Sequence, residues 1–185
     1  MFTVLVDSAQ QTRALGRALA ARVRGGDLLM LSGDLGSGKT TLTQGLGEGM
    51  GVRGRVSSPT FIIARVHPNE DGPDLVHVDA YRIGDLDDLE TLDLDTSLPD
   101  SVVVVEWGEG KTEGLSDNRL EVTLELLDAG VAAPTGVGDF GDEGGADLSG
   151  IDAGKRRVVF NPVGPRWQED AELEAALVRA VEEEK

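Results

Sequence analysis

The chain has 185 residues, of which 39% are hydrophobic, and its 34 acidic and 17 basic side chains give it a net charge of −17. This length predicts one domain, residues 1–185, with a core of its own, and the absence of cysteine excludes disulfides and thiolate metal sites. The N-terminus lacks a signal-peptide pattern and no apolar run approaches the roughly 20 residues that span a bilayer, so we expect a cytoplasmic chain with no membrane contact.

The negative charge is concentrated in the downstream part of the chain. Residues 1–66 hold 8 basic and 4 acidic residues, whereas residues 67–185 hold 9 and 30. Because so negative a surface repels a phosphate backbone, we expect any contact with RNA to be made through a partner. The acidic surplus serves either the solvation of exposed faces or the docking of that partner.

The first two predicted elements are a strand and a helix. Phe2–Val6 is strand-like, and Ser8 with Gln11 three residues later resembles a helix capping box. The helix is indicated by apolar residues at four-residue spacing, namely Leu15, Leu19 and Val23. We expect it to end at the Gly25-Gly26 pair.

The next segment is a phosphate-binding loop, a Walker A motif. Residues 33–40 read GDLGSGKT, between a strand-like run, Asp27–Ser32, and a helical one, Thr40–Met50. Glycine lets the backbone curl so that its N–H groups face phosphate oxygens, while Lys39 reaches the β- and γ-phosphates and the Thr40 hydroxyl reaches Mg²⁺. The residues predicted to bind nucleotide are Gly36, Ser37, Gly38, Lys39, Thr40 and Thr41.

Hydroxyl residues come next, ahead of an apolar stretch, residues 61–66, that is consistent with a strand. Ser57, Ser58 and Thr60 either form a simple turn or place a hydroxyl near the γ-phosphate, as the switch loops of GTPases do. We therefore name Thr60 a candidate catalytic residue.

A strand is also expected at Leu75–Val78, and Asp79 ends it. In an open sheet this position points toward the ligand crevice, so Asp79 either holds or orients a water, or is a plain turn carboxylate. His67 and His77 lack metal-ligand spacing and are interpreted as structural.

Residues 85–95 carry leucines at three-residue intervals and predict a short helix; these are Leu86, Leu89 and Leu92. Val102–Val105 follows and predicts a central strand buried on both faces. Glu106 ends this strand and is either the carboxylate on the metal side of the site or a surface residue.

Two aromatic residues and one basic residue lie beside the proposed carboxylates in the sequence. Trp107 and Tyr81 either stack on the base, face a partner or pack internally. Arg82 is the basic residue expected near the site.

The last part of the chain predicts a hairpin and a helix. Leu120–Leu126 alternates apolar and polar residues, and Arg157–Phe160 is able to pair with it. Between them, residues 128–154 form a Gly/Asp-rich insertion that we expect to be flexible. Trp167–Lys185 has the spacing of a terminal helix.

These parts are compatible with an Mg²⁺-dependent ATPase or a nucleotide switch. No N-K-x-D motif for guanine occurs, which disfavours a GTPase, and no arginine-rich lid of a small-molecule kinase is evident. Two alternatives remain: a P-loop small-molecule kinase with Asp79 as its base, and a nucleotide-binding module without catalysis.

Four separated segments together resemble the TsaE (YjeE) family of bacterial proteins, and the resemblance covers roughly residues 1–127. The segments are GDLGSGKTT, SSPTF, HVDAYR and VVEWG. Members of the family are the ATPase components of the machinery that makes threonylcarbamoyladenosine on the tRNA base next to the anticodon. They hydrolyse ATP weakly alone and act on a TsaB–TsaD complex.

The resemblance implies an α/β, P-loop NTPase-like fold with a mainly parallel sheet flanked by helices. It implies ATP as the nucleotide, Mg²⁺ held by Thr40 and Glu106, and a requirement for Asp79 in hydrolysis. It also implies that Thr60 lies in a switch-like segment and Trp107 near the nucleotide, with tRNA reached only through the partner complex.

Overall fold

A computed structural model of the chain describes residues 1–57, 64–82, 98–127 and 154–185. The strands are β1 Phe2–Val6, β2 Leu28–Ser32, β3 Ala64–His67, β4 Asp74–Asp79, β5 Ser101–Glu106, β6 Arg119–Leu126 and β7 Arg156–Val163. The helices are α1 Ala9–Ala20, α2 Lys39–Met50, α3 Pro165–Gln168 and α4 Leu173–Glu182. Short 3-10 turns span Ala80–Arg82, Leu98–Asp100 and Glu113–Leu115.

The described strands form one seven-stranded sheet in the order β1-β7-β6-β2-β5-β4-β3. The pairs β6–β2, β2–β5 and β5–β4 are parallel. β7 is antiparallel to β6, β3 is antiparallel to β4, and β1 is antiparallel to β7 and so runs with the parallel strands. This confirms the predicted α/β class with a mainly parallel sheet, the β6–β7 hairpin and a terminal helix, although the helix predicted over Trp167–Lys185 is interrupted at residues 169–172.

α1 begins with a variant of the predicted capping box. The Ser8 side chain accepts a hydrogen bond from the Gln11 N–H at 3.2 Å, and the Gln11 Oε1 accepts one from the N–H of Asp7, at 2.7 Å. The Ser8 side chain therefore satisfies an N–H group that the first turn leaves free, and the Gln11 side chain reaches back to the residue before the cap. The helix ends at Ala20, before the Gly25-Gly26 pair that we expected to stop it.

The central strand β5 is buried on both faces, as its four valines predict. Val102 and Val104 belong to the core cluster that α1 and α2 cover, together with Leu29 and Leu31 of β2. Val103 belongs with Val105 to a second cluster on the opposite face. The sheet therefore has an apolar layer on each side, as a sheet between two layers requires.

The C-terminal helices are anchored to the start of the sheet by a buried ion pair. Trp167 of α3 is 1% exposed, and Arg166 beside it donates through Nη2 to the Asp27 Oδ2 at 2.8 Å. The same oxygen accepts from the Arg24 N–H. Burial raises the pKa of the Asp27 carboxyl, and the two donors oppose that shift. Arg166 is thus the cation that the buried Asp27 carboxyl group faces, beside the backbone donor of Arg24.

We expect Arg166→Met to lower the free energy of unfolding by about 3 kcal/mol, because it leaves the buried Asp27 carboxylate without its cation. Urea denaturation measures the change. Arg157→Met is the matched control, since Arg157 pairs with Glu125 at the surface, where an ion pair contributes at most about 1 kcal/mol. Equal losses in the two variants would contradict the role given to Asp27.

Two predicted segments of this architecture lie outside the described residues, namely the helix of residues 85–95 and the Gly/Asp-rich insertion up to residue 153, and the predicted hydroxyl residues Ser58 and Thr60 lie outside them too. Among the helices of the described ranges, none has the length and apolar character needed to cross a membrane.

Candidate nucleotide-binding site

The carboxyl ends of β2, β4 and β5 meet at one edge of the sheet. β2 leads into the loop of residues 33–38, and the loop ends where α2 begins, at Lys39. Glu106 is paired with Leu31 of β2 on one side and with Asp79 of β4 on the other. The parallel register thus places the loop and both predicted carboxylates side by side, as expected at the carboxyl edge of an open sheet.

The loop has backbone angles that favour glycine at three positions, of which Gly36 has a φ of 79°. Gly33 has a φ of 131°, and a Cβ built on it would lie 2.2 Å from the Leu124 carbonyl oxygen of β6. Gly38, the residue before α2, has a φ of 109°. Side chains with a Cβ rarely adopt these angles. The loop therefore lies close against β6 and continues directly into the N-terminus of α2.

The Lys39 side chain is buried against its own loop. Its Nζ donates to the carbonyl oxygens of Gly33 at 2.6 Å and Asp34 at 3.0 Å, and it lies 4.0 Å from the centre of the Trp107 ring. Burial lowers the pKa of the Lys39 ammonium, and the negative charges of Glu106, Asp79 and Asp34 oppose that shift. An anion arriving here meets a cation with few competing water contacts.

Thr40 and Glu106 are in direct contact. The Thr40 hydroxyl donates to the Glu106 Oε1 at 3.0 Å, and the Glu106 side chain is buried. A hydroxyl and a carboxylate are oxygen ligands of the kind that Mg²⁺ prefers. The two residues predicted for a metal therefore lie within reach of one ion.

His77 also contacts Glu106. Its Nε2 lies 2.9 Å from the Glu106 Oε1, and the ring is fully buried. The sequence interpretation of His77 as a structural residue missed this contact. A signal was present, because residues two apart on a strand share a face, and His77 stands two positions before Asp79.

Asp79 lies partly exposed next to Glu106. Its Oδ1 accepts a hydrogen bond from the Tyr81 N–H at 3.0 Å, which caps the 3-10 turn of residues 80–82. Asp79 is thus a turn carboxylate that lies at the edge of the candidate site, and its predicted role toward a water stays a prediction.

An open cleft of about 420 Å³ lies over this edge; it is lined by Ser32, Gly33, Tyr81, Trp107, Glu109 and Lys111. Trp107 has a φ of 61°, and its ring meets that of Tyr81 edge to face at 5.6 Å. Lys111 donates to the Ala80 carbonyl at 2.9 Å. Lys111 is therefore a basic residue at this edge that the sequence did not indicate, whereas the side chain of Arg82 lies outside the described residues and its place near the site stays a prediction.

Arg156, at the start of β7, is a second basic residue that sequence reasoning missed. It is 3% exposed, and its Nε donates to the Ser37 carbonyl of the loop at 2.9 Å. The alternation of β7 holds the signal, since Arg156 shares the buried face with Val158 and Phe160. Through this hydrogen bond, β7 supports the backbone of the phosphate-binding loop.

The other predicted residues are placed as follows. Ser37 and Thr41 are buried in the loop and the first turn of α2. The Ser57 hydroxyl accepts from the Arg65 Nη1 at 2.9 Å. Ser58 and Thr60 lie outside the described residues, so the predicted hydroxyl near the γ-phosphate stays a prediction.

Comparisons with known proteins bear on this site. The family model of threonylcarbamoyl adenosine biosynthesis protein TsaE matches residues 6–130. The tRNA threonylcarbamoyladenosine biosynthesis protein TsaE of Streptomyces coelicolor is 56% identical over 157 residues, 84% of this chain and 93% of that relative. The protein of the same name from Bacillus subtilis is 39% identical over 160 residues, 86% of this chain and 84% of the relative.

A solved structure agrees with these relatives. The crystal structure of Bacillus subtilis YdiB superposes with a TM-score of 0.64 at 28% identity, covering 96% of this chain and 94% of that one. The family model matches well over half of the chain, including the phosphate-binding loop, Asp79 and Glu106. The chain therefore belongs to the TsaE family, which takes part in tRNA threonylcarbamoyladenosine biosynthesis.

Proposed function

We propose that the chain binds ATP with Mg²⁺ and hydrolyses it, as the ATPase subunit that tRNA threonylcarbamoyladenosine modification requires. One observation carries the proposal: the carboxylates of Asp79 and Glu106 end adjacent strands, and Thr40, next to Lys39 at the start of α2, contacts Glu106. All four residues lie next to the glycine loop. A helix N-terminus with free N–H groups and a nearby lysine favours bound phosphate.

Phosphate binding would use the loop and Lys39. The loop backbone, from Gly36 to Thr41, would donate to the phosphate oxygens, and the Lys39 ammonium would exchange its bonds to two loop carbonyls for bonds to the β- and γ-phosphates. Trp107, 4.0 Å from that ammonium, would then lie beside the nucleotide.

Thr40 and Glu106 would hold Mg²⁺. When bound, the ion neutralises charge on the phosphates and orients them for displacement. In the described part of the chain, no three His, Asp or Glu side chains cluster to cage a metal. Two protein ligands with phosphates and water suit Mg²⁺ bound together with a nucleotide.

Asp79 would orient the attacking water. Its carboxylate is anchored by the Tyr81 N–H beside Glu106, at the open edge of the cleft, where water has access. Thr60 would bring a hydroxyl toward the γ-phosphate when its segment closes, as we expect of a switch.

A TsaB–TsaD-like protein complex is the proposed partner, and tRNA would be reached only through it. The strongly acidic composition opposes direct binding of RNA. Two apolar side chains at the site favour a protein contact instead: Leu35, at the loop tip, is 86% exposed and Tyr81 is 68% exposed.

Steady-state ATP hydrolysis with and without purified TsaB–TsaD tests the proposal. We expect slow Mg²⁺-dependent turnover by the chain alone, faster turnover with the partner, and a complex on gel filtration. Lys39→Ala should abolish turnover in both cases, because it removes the cation at the phosphates. An unchanged rate without a complex would contradict the partner role, and an ATP-dependent phosphorylated metabolite would favour the kinase alternative.

A further inference from the structure

We propose that His77 is a positioning residue that fixes the orientation of the Glu106 carboxylate on the metal side of the site. The proposal rests on the Mg²⁺-ATP function above and adds a residue to it. His77 lies on β4 opposite Val104 of β5, two positions before the Asp79–Glu106 pair. Its side chain and that of Glu106 therefore share one face of adjacent strands, and the Nε2 to Oε1 distance is 2.9 Å.

The contact fixes which ring nitrogen donates. An ionised carboxylate accepts hydrogen bonds and has no hydrogen to donate. The hydrogen of this bond therefore lies on Nε2 of His77. The other nitrogen, Nδ1, is buried and has no hydrogen-bond partner within the described ranges. Glu106 is thus the polar group that the His77 ring faces. If His77 served packing alone, an apolar side chain of similar volume would fill the same space without burying an unpaired nitrogen.

Two donors hold the Glu106 carboxylate in the structure. The Thr40 hydroxyl and the His77 ring donate to the same oxygen, Oε1, in the structure. A hydroxyl that ligates a cation through an oxygen lone pair still has its O–H to donate, so both bonds to Glu106 are compatible with a bound ion. The His77 ring is fully buried and is not a proposed ligand, so its contribution to the site is to hold the Glu106 carboxylate. Supporting groups of this kind commonly change metal affinity about 10- to 100-fold when they are removed.

The test compares His77→Leu, His77→Gln and wild type by the dissociation constant of a fluorescent ADP analogue, with Mg²⁺ and with EDTA. In EDTA we expect His77→Leu to bind the analogue like wild type. With Mg²⁺, we expect this variant to need about 10-fold more of the ion to reach the affinity that Mg²⁺ gives to wild type. His77→Gln places an amide donor where Nε2 lies, and we expect it to restore the wild-type Mg²⁺ requirement to within about 3-fold.

A matched control is His67→Leu. His67 is 4% exposed, lies on the neighbouring strand β3, and has an Nε2 without a hydrogen-bond partner among the described residues. Its replacement reports the general effect of losing a buried histidine, and we expect the Mg²⁺ requirement to stay that of wild type.

The outcomes separate this inference from the function on which it rests. Wild type that fails to bind the analogue with Mg²⁺ overturns the proposed function and the inference together. Normal Mg²⁺-dependent binding by wild type with an unchanged requirement in His77→Leu overturns the inference alone. Should His77→Leu not fold, His77→Asn against His77→Gln decides, because the shorter amide occupies the Nδ1 position and does not reach Glu106; equal Mg²⁺ requirements in the two would overturn the role.

Discussion

Glu106→Gln is expected to reduce Mg²⁺-dependent ATP hydrolysis about 100-fold, which corresponds to roughly 3 kcal/mol of lost transition-state stabilisation. Glutamine has the size of glutamate and keeps one oxygen for the bonds from Thr40 and His77. It loses the negative charge that would hold Mg²⁺. The change therefore separates the charge of Glu106 from its packing.

The folded state should tolerate this substitution. The side chain at position 106 is nearly inaccessible, and an amide is less costly to bury than a carboxylate. We therefore expect no fall in the melting temperature, so that the lost activity cannot be ascribed to unfolding. Thermal unfolding and hydrolysis should be measured on the same preparation.

Glu125→Gln is the control for this experiment. Glu125 lies on β6, about half exposed, in an ion pair with Arg157 at 3.1 Å. Its replacement should leave hydrolysis and its dependence on Mg²⁺ unchanged. If Glu106→Gln also kept the wild-type rate and Mg²⁺ requirement, Glu106 would not be the metal-side carboxylate, and Asp79, its neighbour in the sheet, would be the next candidate.

The sequence predicted well those features that depend on local pattern. The valines of β5 identified a strand buried on both faces, because an element covered on both sides has no room for alternating polar residues. The glycines that surround Lys39 identified the conformation of the phosphate-binding loop, because its backbone angles admit few other residues. Glu106 and Asp79 followed from these, since both end strands of a parallel sheet.

The residues that the sequence did not reveal reach the site through pairings distant in the chain. Arg156 contacts Ser37 only because β7 pairs with β6, which itself lies beside β2. Lys111 lines the cleft from the turn after β5 and donates to the Ala80 carbonyl, which follows β4. Strand order depends on the whole core, so no local pattern predicts these contacts.

Glycines at the contact of α1 and α2 provide the second prediction. A Cβ on Gly16 would lie 2.1 Å from the Leu42 carbonyl oxygen, and one on Gly45 would lie 2.0 Å from that of Arg13. Neither residue has a positive φ. Alanine at either position would thus suit the helix itself but not its neighbour, whose clashing atoms belong to the backbone and cannot rotate away.

The clash outweighs the gain in helix propensity. Gly→Ala inside a helix stabilises it by about 1 kcal/mol, whereas forcing a methyl group into a packed interface costs about 1–3 kcal/mol, and distances near 2 Å to backbone atoms lie at or beyond the upper end. We expect Gly16→Ala and Gly45→Ala each to lose about 2 kcal/mol of stability, measured by urea denaturation. Because α2 begins at Lys39, separating the helices also shifts the phosphate-binding loop, and ATP affinity should fall with stability.

Gly114→Ala distinguishes this explanation from a general intolerance of alanine. Gly114 lies in the 3-10 turn of residues 113–115, and a Cβ there would have no neighbour within 4 Å. Its stability should change by no more than about 0.5 kcal/mol. If Gly16→Ala and Gly45→Ala behaved like Gly114→Ala, the helices would be free to separate without cost. The position of the phosphate-binding loop would then depend on its contacts with β6 and Arg156 instead of on the close approach of α1 to α2.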